Sequence, residues 1–224
     1  MKNNLKDMVK EALKKEPKIN PYSTIINKYK NILDEKNLKK IDLGDHFKNS
    51  NPLHLEIGSG SGSFLKKMGE DNPKTNFIGI DLRFKRLVSS ANRSKDLSNV
   101  LFIKMRGEEL EKVFDKASIN HIYIFFPDPW PKKSQMKNRL VERNFLTKLF
   151  TILEKEGEVE IKSDHPGYFN FILKEIKASN IFKIEEETRN LYENKKIGEE
   201  ATEFERLFHH QGIHINYVRL KKIV

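Results

Sequence analysis

The chain has 224 residues, 37% of them hydrophobic and 10% aromatic, which is enough for one sizeable core: one domain, or a domain with an appendage. Cysteine is absent, which excludes a disulfide framework, a thiolate metal site and a thiol nucleophile. The net charge of +10, from 42 Lys and Arg against 32 Asp and Glu, favours a polyanionic partner, because phosphate contacts release condensed counterions.

The N-terminus, "MKNNLKDMVKEALKKEPK", is charged throughout and lacks an apolar leader core, and no run of about 18 apolar residues follows, so a soluble, cytoplasmic protein is expected. Residues 1–50 read as a helical or irregular appendage. A short amphipathic helix is expected from Lys6 to Lys15, ending at Pro17, and a second over "YSTIINKYKNIL".

From Pro52 the texture changes, and residues 51–224 read as the main domain. "LHLEIG" is a short apolar strand running into a Gly-rich turn, and "SFLKKMGE" a helix stopped by Asp71-Asn72-Pro73. "FIGIDL" is a second strand, "RFKRLVSSANRSK" a helix, "VLFIKM" a third strand and "EELEKVF" a short helix. "HIYIFF" is a fourth strand, and "NRLVERNFLTKLFTILEKEG" a long helix closed by Gly157. "EVEIKS" is a fifth strand, and "PGYFNFILKEIKAS" a helix with proline at its first turn. "FKIEEET" and "IHINYVRLKKI" give two last strands around a long polar loop.

Apolar strands alternating with helices imply an α/β, doubly wound, mostly parallel seven-stranded sheet with an antiparallel C-terminal strand. Ligands of such sheets bind beyond the carboxyl ends of the strands, near the switch point of the strand order. Two stretches fall there. In "LEIGSGSGSF", Gly58, Gly60 and Gly62 let the backbone approach a ligand, although a tight packing turn would use the same residues. Their spacing is not that of a dinucleotide fingerprint, and Glu56 just before them would repel a pyrophosphate. A carboxylate there suits a cationic ligand such as S-adenosylmethionine. Asp81, ending the second strand, can accept from both ribose hydroxyls of an adenosine. Glu108 can reach an adenine amino group, or simply cap a helix N-terminus.

The second stretch is "FFPDPWPKKSQMKNRL", where Asp128 stands between two prolines that limit its backbone freedom, beside the only tryptophan. Trp130 can stack on a base or pack in the core. Lys132, Lys133, Lys137 and Arg139 are expected to hold phosphates at a pocket mouth, or to form a solvated helix start. Charge is concentrated here: residues 83–106 carry seven cations and one anion, and residues 127–144 five cations against Asp128 and Glu142.

Taken together and in order, "LEIGSGSGSF", "GID", "FPDPWPKK…KNRL", "KSDHPGYF" and "TEFERLFHHQG" resemble the tRNA (guanine-N7)-methyltransferase family over roughly residues 52–220. The resemblance implies a Rossmann-like fold and S-adenosylmethionine as co-substrate, with no metal required. It also implies tRNA as partner, no membrane, a monomer or homodimer, and N7-methylguanine formed in the variable loop at tRNA position 46. Carried onto this sequence, it places the donor contacts on Glu56, Gly58, Gly60, Gly62, Asp81, Glu108 and Asp128, and the catalytic acid on Asp128. It places tRNA or guanine contacts on Lys132, Asp164, Thr202, Glu203, Phe204 and Glu205. Asp81 departs from the Glu usual in the family, and Glu108 from Asn or Asp. Without the resemblance, Thr202 to Glu205 read as a solvated loop; His209 and His210 read as loop or phosphate contacts. The alternatives are an amino-group methyltransferase of RNA or DNA and an inactive RNA-binding protein of the same fold.

Overall fold

The computed structural model describes residues 5–15, 19–34 and 46–223. Helix α1 (Leu5–Lys15), helix α2 (Pro21–Ile25), a 3-10 turn (Ile26–Lys28) and strand β1 (Ile32–Asp34) come first. Then follow β2 (Leu53–Ile57), α3 (Ser63–Asp71), β3 (Asn76–Asp81), α4 (Phe84–Arg93) and β4 (Val100–Lys104). A 3-10 turn (Gly107–Lys112), β5 (Ile119–Phe125), a second 3-10 turn (Lys133–Asn138), α5 (Arg143–Ile152) and β6 (Leu153–Ser163) make the next stretch. The chain ends with α6 (Pro166–Ser179), β7 (Phe182–Thr188), α7 (Glu203–His210) and β8 (Asn216–Lys222).

The strands form one sheet in the order β1-β4-β3-β2-β5-β6-β8-β7, parallel except for β8, which runs antiparallel to both neighbours. The doubly wound, mostly parallel sheet with an antiparallel C-terminal strand is therefore present, widened at one edge by β1. Chain order reverses between β2 and β5, so the switch point lies where the glycine turn and the Pro-Asp-Pro-Trp-Pro turn both emerge.

Two apolar layers hold the sheet. Leu55, Ile57, Ile122, Ile124, Val159, Ile161, Val218 and Leu220 point to one face, against Phe145, Leu149, Phe169 and Ile172 of α5 and α6. On the other face Phe77 and Phe102 pack with Phe64, Leu65, Leu87 and Val88 of α3 and α4. Ile25, Ile26 and Ile32 join that second cluster, each removing a side chain worth about 1.5–3 kcal/mol from water.

Four local expectations are corrected. The second N-terminal helix stops after α2 and the 3-10 turn, because Ile32 and Leu33 pair with Phe102 and Ile103 as an edge strand. The long helix ends at Ile152: Leu153 already pairs with Ile119, and a register shift before His121, with Glu156 at φ +65°, absorbs the extra residues as a bulge. Gly157 consequently lies within β6 and caps no helix. The short helix expected over 108–114 is a 3-10 turn, Gly107–Lys112, with a break at Glu109. The expected loop at 202–205 opens α7 through a capping box, Thr202 accepting from the Glu205 N–H and Glu205 from the Thr202 N–H. His209 and His210 close that helix. The expected stop at Pro17 lies outside the described residues.

Candidate active site

A cavity of about 810 Å³ opens at the switch point. Glu56, Gly58, Gly60, Asp81, Glu108, Asp128 and Trp130 line it from the strand ends, and Thr202, Glu203 and Phe204 from α7.

Its floor is Glu56, next to the carboxyl end of β2 and 3% exposed. Oε2 of Glu56 is buried with no hydrogen-bond partner. Burial pushes the carboxyl up to about 8, partly offset by the ammonium of Lys162 and reinforced by the charges of Glu205 and Asp81. A cation placed beside this buried carboxyl would stabilise its ionised form and offset the cost of burying that charge.

The glycine turn is built by the backbone. The N–H groups of Gly58 and Ser59 both donate to the Ile80 carbonyl, at 2.9 and 3.0 Å. Gly58 has φ +85° and open space where a Cβ would stand. Gly62, at φ +72°, caps α3, and a Cβ there would meet the Ser90 Cβ at 2.7 Å, so this glycine lets α3 and α4 approach. Ser90 completes the lock by donating to the Gly60 carbonyl at 2.9 Å.

Asp81 ties this turn to β3. Its Oδ2 accepts from the Gly60 N–H at 3.2 Å and lies 3.6 Å from Nη1 of Arg86, while Oδ1 accepts from the Arg83 N–H at 2.8 Å. A carboxylate offers about four lone-pair sites, so acceptor capacity remains toward the cavity. Glu108 is exposed at the cavity wall, and its carbonyl accepts from Nζ of Lys148.

The Pro-Asp-Pro-Trp-Pro turn forms the opposite wall. Phe126 and Trp130 take positive φ, +53° and +41°, conformations costly for large side chains and held only by their surroundings. The holding groups are visible: the Phe126 N–H donates to the Lys162 carbonyl, and Nε of Arg139 to the Pro129 carbonyl, both at 2.9 Å. Asp128 is exposed between these anchors, and Trp130 is half-buried on the cavity wall.

Arg139 corrects the expectation of a phosphate contact. It is 7% exposed, and its guanidinium lies over the rings of Tyr168 and Phe171, 5.0 Å from each centroid. Lys132 and Lys133 are exposed beyond the cavity, whereas Lys137 lines it. Asp164 follows β6 and is half-buried outside the lining. Glu205 also lies outside it. Its side chain is fully buried, with Oε1 accepting from Nζ of Lys162 at 2.7 Å and from the Tyr192 hydroxyl at 2.6 Å, and Oε2 from the Thr202 N–H at 2.9 Å. With both oxygens engaged, Glu205 supports the mouth from below and leaves Thr202, Glu203 and Phe204 to face it.

Lys162 and Phe126 escape sequence reasoning as site residues, and Arg139 is read there as a phosphate contact where the structure makes it a buried brace. The signal for Lys162 was its period: Glu158, Glu160 and Lys162 alternate along β6 on the sheet face that carries Glu56 and Tyr123. On this face His54 and Tyr123 share a 3.0 Å hydrogen bond, and burial, aided by His121, lowers His54 to about 4. Among the described residues no group of three His, Asp or Glu side chains converges as a metal-ligand set, and no helix is long and apolar enough to cross a membrane.

A doubly wound sheet with an unpartnered acid under a glycine turn at its switch point defines a Rossmann-like methyltransferase. The solved structure of the 16S rRNA methyltransferase KamB has the same fold, with a TM-score of 0.61 at 12% identity over 84% of this chain and 96% of that one. Residues 50–217 match a family model described as a putative methyltransferase. The tRNA (guanine-N(7)-)-methyltransferase of Mycoplasma capricolum subsp. capricolum is 34% identical over 195 residues, covering 83% of this chain and 89% of that protein. A bifunctional glycosyltransferase/methyltransferase of Fusobacterium nucleatum subsp. nucleatum is 40% identical over 190 residues, and there the match spans only 29% of the longer protein. The chain belongs to the tRNA (guanine-N(7)-)-methyltransferase family.

Proposed function

We propose that the chain transfers a methyl group from S-adenosylmethionine to N7 of a guanine in the variable loop of tRNA, position 46. The observation that carries this reading is the buried, unpartnered Oε2 of Glu56 beneath a glycine turn with open space above Gly58. That donor set fits a ligand that is cationic at one end and needs close backbone approach. Glu56 would take the cationic methionine end, Asp81 the ribose hydroxyls and the turn from Gly58 to Gly62 the nearby backbone face. S-adenosylmethionine supplies an electrophilic methyl group on sulfur.

The protein's own task is alignment. Guanine N7 carries a lone pair and no proton, so no base has to remove one before the new N–C bond forms as the S–C bond breaks. Positive charge leaves sulfur and appears on the guanine ring. Asp128, held by braces on both sides of its turn, would accept from guanine N1–H or its amino group and stabilise that charge. Trp130 and Phe204 offer aromatic faces at the cavity for a base drawn out of its stack, such stacking being worth about 1–3 kcal/mol. Lys132, Lys133 and Lys137 would hold flanking phosphates. Asp164 lies close along the chain to β6 and would support the base from the neighbouring strand end. The methyltransferase unit is taken as residues 51–224.

Calorimetric titration of S-adenosylmethionine into the wild type and into Glu56→Gln tests the donor site. Binding by the wild type, weakened at least about 100-fold in the variant, supports the reading; equal binding by both removes Glu56 from it.

A further inference from the structure

Exposed apolar side chains scattered singly need no explanation, whereas several gathered around one opening mark a binding surface. Among the described residues eight large apolar side chains are exposed, and four of these stand around the cavity mouth. Leu82 and Phe204 line it, and Met136 belongs to the 3-10 turn whose Lys137 and Asn138 line it. Leu207 is the fourth, 47% exposed on α7. Glu203 and Phe204 are the helical residues of α7 that face the cavity. At about 3.6 residues per turn, Leu207 projects between their two directions, one turn further along, so it stands on the same side of the helix.

The helix that carries it is well fastened. Glu205 is fully buried against Lys162 and Tyr192, and the Arg206 guanidinium donates to the Gly198 and Glu199 carbonyls at 3.0 and 2.8 Å. The rings of Phe204 and Phe208 stack on each other and approach Phe126 at 6.0 and 5.3 Å. The setting is cationic: Arg83, Arg86, Arg106 and Lys137 line the same cavity. A partner that brings apolar faces and negative charge together is a nucleic acid strand, with bases along one edge and phosphates along the other.

We propose that Leu207 is a positioning residue that enters the base stack of the RNA where the target guanine leaves it, and keeps that place filled while the guanine occupies the cavity. This rests on the reading of the cavity as the site of guanine methylation. A nucleotide swung into a pocket leaves its neighbours without a stacking partner, and refilling the gap opposes its return. Leu, Phe and Met are side chains that wedge between base steps. Leu207 is exposed before binding, so insertion removes apolar surface from water, and its fixed helix leaves little to order on binding. Phe204 stays beside the cavity for the guanine itself. Two residues on one side of α7 thus divide the work, one taking the extruded base and the other the gap.

The test compares Leu207→Ala and Leu207→Met on two full-length transcripts. The first is unmodified tRNA. The second lacks the two bases flanking the target guanine, so no stack has to be opened or refilled. On the first, Leu207→Ala is expected to lose about tenfold or more in kcat/KM, and Leu207→Met, which keeps the apolar volume, to stay within about twofold of the wild type. On the second, the wild type and Leu207→Ala are expected to turn over within about twofold of each other. Affinity for S-adenosylmethionine is expected to be unchanged in both variants, since Leu207 lies outside the cavity lining. An equal loss in Leu207→Ala on both transcripts makes Leu207 a structural or base-binding residue and overturns the proposal. Full activity of that variant on the first transcript, or failure of the wild type on the second alone, also overturns it. Failure of the wild type to form N7-methylguanosine in the first transcript overturns the methylation reading and the wedge with it.

Discussion

Arg139 reaches back to the turn that carries Asp128 and donates from Nε to the Pro129 carbonyl at 2.9 Å, its guanidinium laid over the rings of Tyr168 and Phe171. Arg139 is thus a brace for the turn that holds the aspartate. A lysine cannot reproduce a planar group that stacks and donates at once. Arg139→Lys is expected to lower kcat about 10- to 100-fold through loss of alignment, while the salt dependence of tRNA binding stays at the wild-type slope. Lys132→Ala, by contrast, is expected to leave kcat near wild type and reduce that slope by about one. Turnover assays and binding across a salt series separate the two roles.

Glu56 makes the protein's stability depend on pH in a direction unusual for an acid. Its folded-state value, about 8, lies above the ordinary 4.5. Between those values the folded protein holds a proton that the unfolded chain has released, so the ligand-free protein loses stability as pH rises from about 4.5 to about 8. Glu56→Gln removes the ionisation and is expected to stabilise the ligand-free protein at pH 8 by on the order of 2 kcal/mol, with little change at pH 5. Thermal unfolding at the two pH values checks this. The same substitution is expected to weaken donor binding at least about 100-fold, so stability and function are expected to part company at this residue.

The glycines differ in what they protect. Gly62→Ala drives a methyl group into Ser90 at a positive φ, and is expected to destabilise the fold by about 2–4 kcal/mol. Gly58→Ala meets no protein atom within 4 Å, so it is expected to cost only about 1–2 kcal/mol of backbone strain while its methyl group intrudes on the donor. Denaturant unfolding paired with donor titration distinguishes a structural loss at Gly62 from a binding loss at Gly58.

Asp128 is exposed at the cavity mouth, so its replacement should leave the core untouched. Asp128→Asn is expected to unfold within about 0.5 kcal/mol of the wild type and to lose about 100-fold or more in kcat. A variant with near-normal turnover removes the carboxylate from the mechanism.

Much of this architecture was written locally in the sequence. β7 and α6 take the ranges that alternation and the first-turn proline indicate, and the sheet topology follows from apolar strands separated by helices. The misses share a cause, which is competition between local pattern and distant pairing. Leu153 suits the apolar face of a helix as well as a strand, and only its partner Ile119 decides. Ile32 becomes a strand because β4 offers an edge. At the site, residue type pointed to Glu56, since an acid before a glycine turn needs a reason, and the structure places it on the cavity. Residue type could not reveal that Glu205 points inward or that Arg139 is buried, because both depend on which neighbours, Lys162 and Tyr168, the fold brings to them.

The central claim is the identity of the methylated atom. Unmodified tRNA transcript incubated with the protein and methyl-labelled S-adenosylmethionine, then digested to nucleosides, reads it directly. The account predicts label in N7-methylguanosine, a cationic, alkali-labile nucleoside, mapping to the variable loop and lost with Asp128→Asn. Label on an exocyclic amine, or no transfer to tRNA at all, would contradict it.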